Sequence, residues 1–445
     1  MKTRDGVWTI AATGIGAVFQ VLQMAIAARY LSAVEFGVLA IVSVSVNIVL
    51  AFQDMGLSSF CVHLGDADRK SHSTLFWTSA AFGLVAAIGM FSISGLLSSL
   101  YNMPSAEPLF MLVAANLLLV GVGGQYQANL IRTFKARLLA QFEIAGRIVA
   151  FVVTTGLLYF HLFGPGAIII GMIAFTACKL VLMAITASPQ TSPSFVFDRE
   201  LAPRALGFGA NQAGSQVISQ LRAQADQLIV AGIFGARTAG TYYLAKELIS
   251  YPMRFMQPVI ARLTLPSFAL LQGHGERLQT AFLASVKRTS TLSGLTFAGV
   301  AIFSPWLVEL MYGLRFIQAV PIVIALATFG AVRPIGLSIG MLAQATGRSG
   351  HELRWTLISS SISILPLLGL MLVKPQPVVF AATASLVQVF VTIAAHPFFV
   401  RPLEPVPLGA YLRSAAPSLI LAVVGTLIAC VIDLPSLHSI WQSVR

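Results

Sequence analysis

The chain has 445 residues, 57% hydrophobic and only 10% charged, where an ordinary soluble domain carries about 25% charged residues. That excludes a soluble fold. The formal charge of +12 does not signal nucleic-acid binding either, because Lys and Arg fall between apolar runs instead of clustering on one face of a soluble domain.

Apolar runs of about 20 residues or more, each able to cross a hydrocarbon core of about 30 Å, recur along the whole chain. They predict about thirteen spans, at 8–30, 36–62, 75–100, 107–130, 143–163, 165–187, 205–234, 241–265, 289–312, 318–345, 354–374, 377–400 and 411–432. A transmembrane β-barrel is rejected, since its strands alternate over about ten residues. The expected fold is an all-α polytopic membrane bundle of about 12–13 transmembrane helices, with two six-helix lobes around a central cavity. Giving each loop a side places about 18 Lys and Arg on one face, from Lys2 and Arg4 through Arg132 and Arg348 to Arg413. The other face holds about five: Arg29, Arg237, Arg315, Lys374 and Arg445. The positive-inside rule then puts the N-terminus in the cytoplasm.

The first span follows basic residues, and Ala25-Ile26-Ala27 faintly resembles a signal-peptidase site. The run is longer than a usual signal-peptide core and more spans follow, so an uncleaved helix is expected. It carries Thr13, Gln20 and Gln23 but no interior charge. A turn at Leu31-Ser-Ala-Val-Glu-Phe-Gly37 leads into a span with a polar stripe of Ser43, Asn47, Asp54 and Ser58. Asp54 either binds a coupling cation or caps local backbone. Gly121-Val-Gly-Gly124 reads as close helix packing, and Lys179 as a side chain that snorkels to the cytoplasmic face.

Residues 1–190 are expected to form the N-terminal six-helix lobe, 191–204 a cytoplasmic linker, 205–402 the C-terminal six-helix lobe and 403–445 an additional C-terminal transmembrane helix. The turn Phe234-Gly-Ala-Arg-Thr-Ala-Gly240 repeats the first turn, with Ala236 matching Ala33 and Gly240 matching Gly37. Such a match suggests parallel repeats related by an axis along the membrane normal.

Span 205–234 is the most informative. At 100° per residue, Asn211, Ser215, Ser219, Arg222 and Asp226 fall within about 80° of one another. Gln212, Gln216, Gln220, Gln224 and Gln227 extend that face over more than half the circumference. Lipid does not tolerate such a helix, so it should line a hydrated cavity. Arg222 and Asp226 also sit at i,i+4, where a simple intrahelical ion pair is an equally good reading. Span 241–265 repeats the theme with Tyr243, Lys246, Ser250, Arg254 and Gln257, while span 318–345 carries Arg333 before Pro334. Together these suggest a cavity of mixed polarity with a cationic bias toward Arg222, Arg254, Lys246 and Arg333, the candidate binding cations, and with Asp54 and Asp226 as carboxylates available to a coupling cation.

No catalytic constellation, Walker A pattern or metal-ligand spacing occurs, and Cys61, Cys178 and Cys430 lie far apart in apolar spans. A transporter is expected and not an enzyme, with no catalytic residue, metal or cofactor.

Several segments carry a family resemblance: AlaArgTyrLeuSerAlaValGluPheGly at 28–37, AspMetGlyLeu at 54–57, AspGlnLeuIleValAlaGlyIlePheGly at 226–235 and AlaGlyThrTyrTyrLeuAlaLysGluLeu at 239–248. LeuProSerPheAla at 265–269 and AlaThrGlyArg at 345–348 continue it. In these the chain resembles the Wzx-type flippases of polysaccharide biosynthesis, within the multidrug/oligosaccharidyl-lipid/polysaccharide exporter superfamily. That resemblance implies two lobes that alternate access and carry an undecaprenyl-diphosphate-linked oligosaccharide across the bacterial inner membrane. Its partners would be membrane lipid, a polysaccharide polymerase and glycosyltransferases, with no nucleic acid. Relatives that flip the peptidoglycan precursor carry arginines inside the first span, where this chain has Gln20 and Gln23, and multidrug members place a carboxylate there. A cation-coupled multidrug exporter and a non-transporting scaffold of a polysaccharide assembly complex are the alternative readings.

Overall fold

The structure, a computed structural model, describes residues 3–53, 69–133, 135–187, 193–198, 201–346, 350–373 and 376–443. Side chains are described for these except at 3–7, 9–11, 51–53, 202, 204–213, 215, 262–263, 350–353 and 433–443. Among the described residues there is no β-strand, and a helix stands at every predicted span. Among the described residues ten helices are long and apolar enough to cross a membrane, or eleven if a pair bent by 71° at Phe303 counts as one span. The protein is a multi-pass membrane protein. Side chains such as Leu372, 89% exposed, and Ile185, 76% exposed, are those of a lipid-facing surface.

In chain order the helices are α1 (Thr3–Tyr30), α2 (Ala33–Gln53), α3 (Arg69–Leu100), α4 (Glu107–Arg132), α5 (Ala136–Tyr159) and α6 (Gly166–Ile185). One helical run, Leu201–Leu270, is broken at Gly235 into α7 (201–234) and α8 (236–270). Then come α9 (Gly275–Ile302), a short helix at Ser304–Tyr312, and α10 in two pieces, Val320–Val332 and Ile335–Ala345. The chain continues through α11 (Gly350–Val373), α12 (Pro377–Ala395) and α13 (Leu408–Ser443).

The turn that opens the family-like segment has a local cause. Ser32 and Glu35 form a reciprocal cap at the start of α2: the Ser32 amide and hydroxyl donate to Glu35 Oε2 at 2.7 and 2.8 Å, and the Glu35 amide donates to Ser32 Oγ at 3.3 Å. These bonds satisfy amides that the helix start leaves without carbonyl partners. At the matched position in the second half stands Gly235, with φ 75° and ψ −177°. A side chain rarely adopts that backbone, so glycine is what lets the long run break and α8 start in a new direction.

Two compact units divide the chain, Met1–Leu221 and Arg222–Arg445. In the first, α3 packs on α4, α5 on α6, and α1 on α5. Leu130, Phe142 and Met183 join α4, α5 and α6 in one apolar cluster. The approach of α6 to α5 depends on Gly171, where an added Cβ would lie 1.9 Å from Thr154 Oγ1. Residues 194–198 are tied to the start of α3: Trp77 Nε1 donates to the Ser194 carbonyl, the Asp198 amide donates to Thr74 Oγ1, and Lys70 pairs with Asp198 at 3.3 Å.

The second unit is organised around α9. The fully buried Phe297 ring lies flat against Gly330 of α10, where a Cβ would come within 2.4 Å of it. On its other side α9 meets α13, with Gly294 against the Ser418 backbone and Gly425 against Ala298. The last helix is thus an integral packing partner of α9. In Gly425→Val the new Cβ would lie 2.6 Å from Ala298 Cα. Overpacking there should destabilise the purified protein by about 1–3 kcal/mol in denaturant or thermal unfolding. Unchanged stability would mean that the α9–α13 crossing is looser than it stands.

Candidate functional site

The break at Gly235 turns α8 back toward α7, and the two helices meet through charge. Lys246 of α8 reaches Asp226 of α7 at 2.5 Å, and also donates to the Ala223 carbonyl at 2.8 Å and to Gln224 Oε1 at 3.4 Å. The fully buried Tyr242, one turn before Lys246, donates its hydroxyl to the other Asp226 oxygen at 2.9 Å. The side chains of Asp226 and Lys246 are only 10% and 15% exposed. Two donors on one face of α8 therefore hold the carboxylate of α7, and Lys246 does not snorkel. The i,i+4 pair read from the sequence is replaced: Asp226 pairs across the break with Lys246, not along its own helix with Arg222.

Arg222 and Asp226 line a cavity of about 40 Å³ with Phe329 and Arg333 of α10, Ser363 and Leu367 of α11, and Ala384, Val387 and Gln388 of α12. Arg333 stands where α10 changes from its first piece to its second. Pro334 has no amide hydrogen to continue the ladder, the Arg333 amide closes the first piece on the Phe329 carbonyl at 3.0 Å, and the guanidinium lies 5.0 Å from the Phe329 ring centre. Arg222 and Arg333, far apart in sequence, thus share one cavity wall.

Arg254 is differently placed. Its Nη2 reaches both carboxylate oxygens of Glu247 on the same helix, at 3.0 and 3.1 Å, and its side chain stays 39% exposed while that of Glu247 is 14% exposed. Nearby, Tyr312 donates to the Leu244 carbonyl at 3.2 Å.

The remaining predicted residues divide as follows. Gln23 donates to Thr154 Oγ1 at 3.0 Å inside the first unit, at the contact where Gly171 approaches, so its amide is committed to helix packing. Gln20 and Asn47 are half-buried in the same unit, Ser219 and Gln220 are half-buried on α7, and Gln216 and Gln257 are exposed. Ser250 returns its hydroxyl to the Lys246 carbonyl at 2.8 Å. Asp54 and the side chains of Asn211 and Ser215 lie outside the described residues. Lys179, expected to snorkel, instead donates to Gln127 Oε1 at 2.7 Å and lies 3.8 Å from Glu143. Among the described residues no group of His, Cys, Asp and Glu could hold a metal ion.

Sequence reasoning missed Tyr242, Glu247 and Gln388. Two signals were available: Tyr242 and Lys246 are spaced i,i+4, and Glu247 and Arg254 are seven residues apart, about 20° on a helical wheel.

A family model described as "Polysaccharide biosynthesis protein" matches residues 26–321. The chain is 35% identical over 357 residues to the amylovoran biosynthesis protein AmsL of Erwinia amylovora, covering 80% of this chain and 92% of that one. It is 24% identical to the lipopolysaccharide biosynthesis protein WzxC of Escherichia coli K12, over 82% of this chain and 74% of that protein. Among solved structures it resembles the lipid II flippase MurJ in an inward closed conformation, with a TM-score of 0.72 at 15% identity, covering 98% of this chain and 99% of that chain. At that identity the likeness shows a shared fold.

Proposed function

The chain belongs to the polysaccharide biosynthesis protein family, and on that premise we propose that it flips an undecaprenyl-diphosphate-linked oligosaccharide from the cytoplasmic to the outer leaflet of the bacterial inner membrane. Its N-terminus would be cytoplasmic, and it would work by alternating access beside a polysaccharide polymerase and glycosyltransferases. The observation that carries this reading is the surplus of cations in the second unit: among the described residues Arg222, Lys246, Arg254 and Arg333 stand against only Asp226 and Glu247 in their ion pairs and shared cavity. A diphosphate moving through a poorly hydrated protein needs cationic donors, and arginine offers two parallel N–H groups to its oxygens.

Lys246 is committed to Asp226. Arg254 is the best placed of the four to meet a diphosphate, being part exposed and held by a partner on its own helix, so that it can exchange one anion for another without moving a helix.

Deletion of the gene tests the reading. Surface polysaccharide should disappear, and the lipid-linked oligosaccharide should accumulate where a membrane-impermeant glycosidase added to intact spheroplasts cannot reach it. Normal surface polysaccharide in the deletion strain, or accumulation on the glycosidase-accessible side, overturns it. Loss of drug efflux with polysaccharide intact would instead favour the multidrug reading.

A further inference from the structure

Arg222 and Arg333 have no counter-charge of their own. Among the described residues, neither guanidinium has a carboxylate within the 4.0 Å that defines an ion pair. The carboxylate on their shared cavity, Asp226, already accepts from Lys246 and Tyr242. Three cations, Arg222, Arg333 and Lys246, thus face one anion. Arg222 Nε is buried without a hydrogen-bond partner. The Phe329 ring covers one face of the Arg333 guanidinium, which leaves its in-plane N–H groups to be satisfied elsewhere. Charges at membrane depth are normally paired or face water, because an isolated one is costly.

The other walls suit an anion. Gln388 has two amide hydrogens, one of which makes only a long 3.4 Å contact to Thr392 Oγ1. The Ser363 hydroxyl is spent on the Ser359 carbonyl at 2.7 Å. Leu367, Ala384 and Val387 are apolar and exclude competing donors. Size decides among anions. At about 10–15 Å³ for one water, the inner part of the cavity, about 40 Å³, matches a single-atom anion and a water or two.

We propose that Arg222 and Arg333, with the Gln388 amide, bind one inorganic monoanion of chloride size within the second unit, separate from the transported diphosphate. The ion supplies the countercharge that the described residues do not place beside these two arginines and ties α7, α10 and α12 together through one centre.

The test uses the purified full-length protein in detergent, at constant ionic strength, with chloride exchanged for gluconate, which is too large for the cavity. Chloride and bromide should each raise the thermal midpoint by several degrees over gluconate. Arg333→Gln and Arg222→Gln should each weaken the apparent chloride affinity by about ten-fold or more, as expected for loss of a charge-assisted hydrogen bond, while Arg277→Gln on the distant start of α9 leaves it unchanged. Chlorine-35 NMR of the unaltered protein needs no variant: the line should broaden beyond the buffer value and narrow as bromide displaces chloride. Equal midpoints in chloride and gluconate, a chloride effect that survives in the double variant, or an unbroadened line overturns the proposal. So does inorganic pyrophosphate displacing chloride at lower concentration than bromide, which would hand the pocket to the diphosphate. None of these readouts involves transport, so the proposal stands or falls separately from the flippase reading.

Discussion

Asp226→Asn should be among the most destabilising single substitutions in the second unit, lowering the stability of the purified protein by about 3–5 kcal/mol, the range for stranding a buried charge. The variant keeps the shape of the side chain and a carbonyl for Tyr242. It removes the one negative charge that Lys246 contacts at 2.5 Å and that Arg222 and Arg333 share through the cavity. Lys246→Met should cost clearly less, because the freed carboxylate keeps Tyr242 and has two guanidinium groups on the same cavity to turn to. The asymmetry is the informative quantity: in a cluster with surplus positive charge, losing the anion is worse than losing a cation. The double variant Asp226→Asn with Lys246→Met should be less damaging than the sum of the two singles, as expected for residues in direct contact. Thermal unfolding of all three beside the wild-type protein measures the cycle. Equal losses from both singles, or strict additivity, would show that the pair does not carry the surrounding charge.

This network also marks where the sequence stops being readable. Helices were legible because continuous apolar runs of membrane length have few other folds open to them: a helix stands at each predicted span, though 36–62 runs past the described residues, 289–312 is bent by 71° and ten or eleven of the described helices, against thirteen predicted, are long and apolar enough to cross a membrane. Wetness was legible too, since the Gln and Ser residues of 205–234 cover more than half a helical wheel. Pairing was not. A wheel for one helix assigns Asp226 to Arg222, because it knows only the neighbours at i,i+4. The actual partner is 20 residues away, and it becomes a neighbour only because Gly235 takes a backbone that L-residues avoid. The shared wall of Arg222 and Arg333 has the same origin, in the packing of α7, α10, α11 and α12 around one cavity. Gln23 shows the same limit: the sequence marks a polar residue on an apolar helix but cannot reveal its partner Thr154, which sits at a close crossing of α5 and α6.

Arg254→Glu is expected to abolish surface polysaccharide while leaving the protein in the membrane. The substitution puts a carboxylate beside Glu247, whose two oxygens now lie 3.0 and 3.1 Å from Arg254 Nη2, and so replaces an ion pair by repulsion near the middle of α8. Loss of export from that variant alone has two explanations, a disrupted helix or a lost contact to the substrate. The charge-swapped protein, Glu247→Arg with Arg254→Glu, separates them. If the pair only neutralises itself, the swap restores the attraction at the same seven-residue spacing and export should return to near the wild-type amount. If Arg254 meets the diphosphate, the swap moves the guanidinium two turns along α8, about 10 Å at 1.5 Å per residue, and a carboxylate then stands where the phosphate oxygens must pass. Surface polysaccharide should then stay absent even though thermal stability recovers. Arg254→Lys should retain part of the export, because it keeps the charge and loses the planar guanidinium that can offer two parallel N–H groups to a phosphate. Full export from the swapped protein would take Arg254 out of the transport path and leave its pair with Glu247 a matter of helix stability alone.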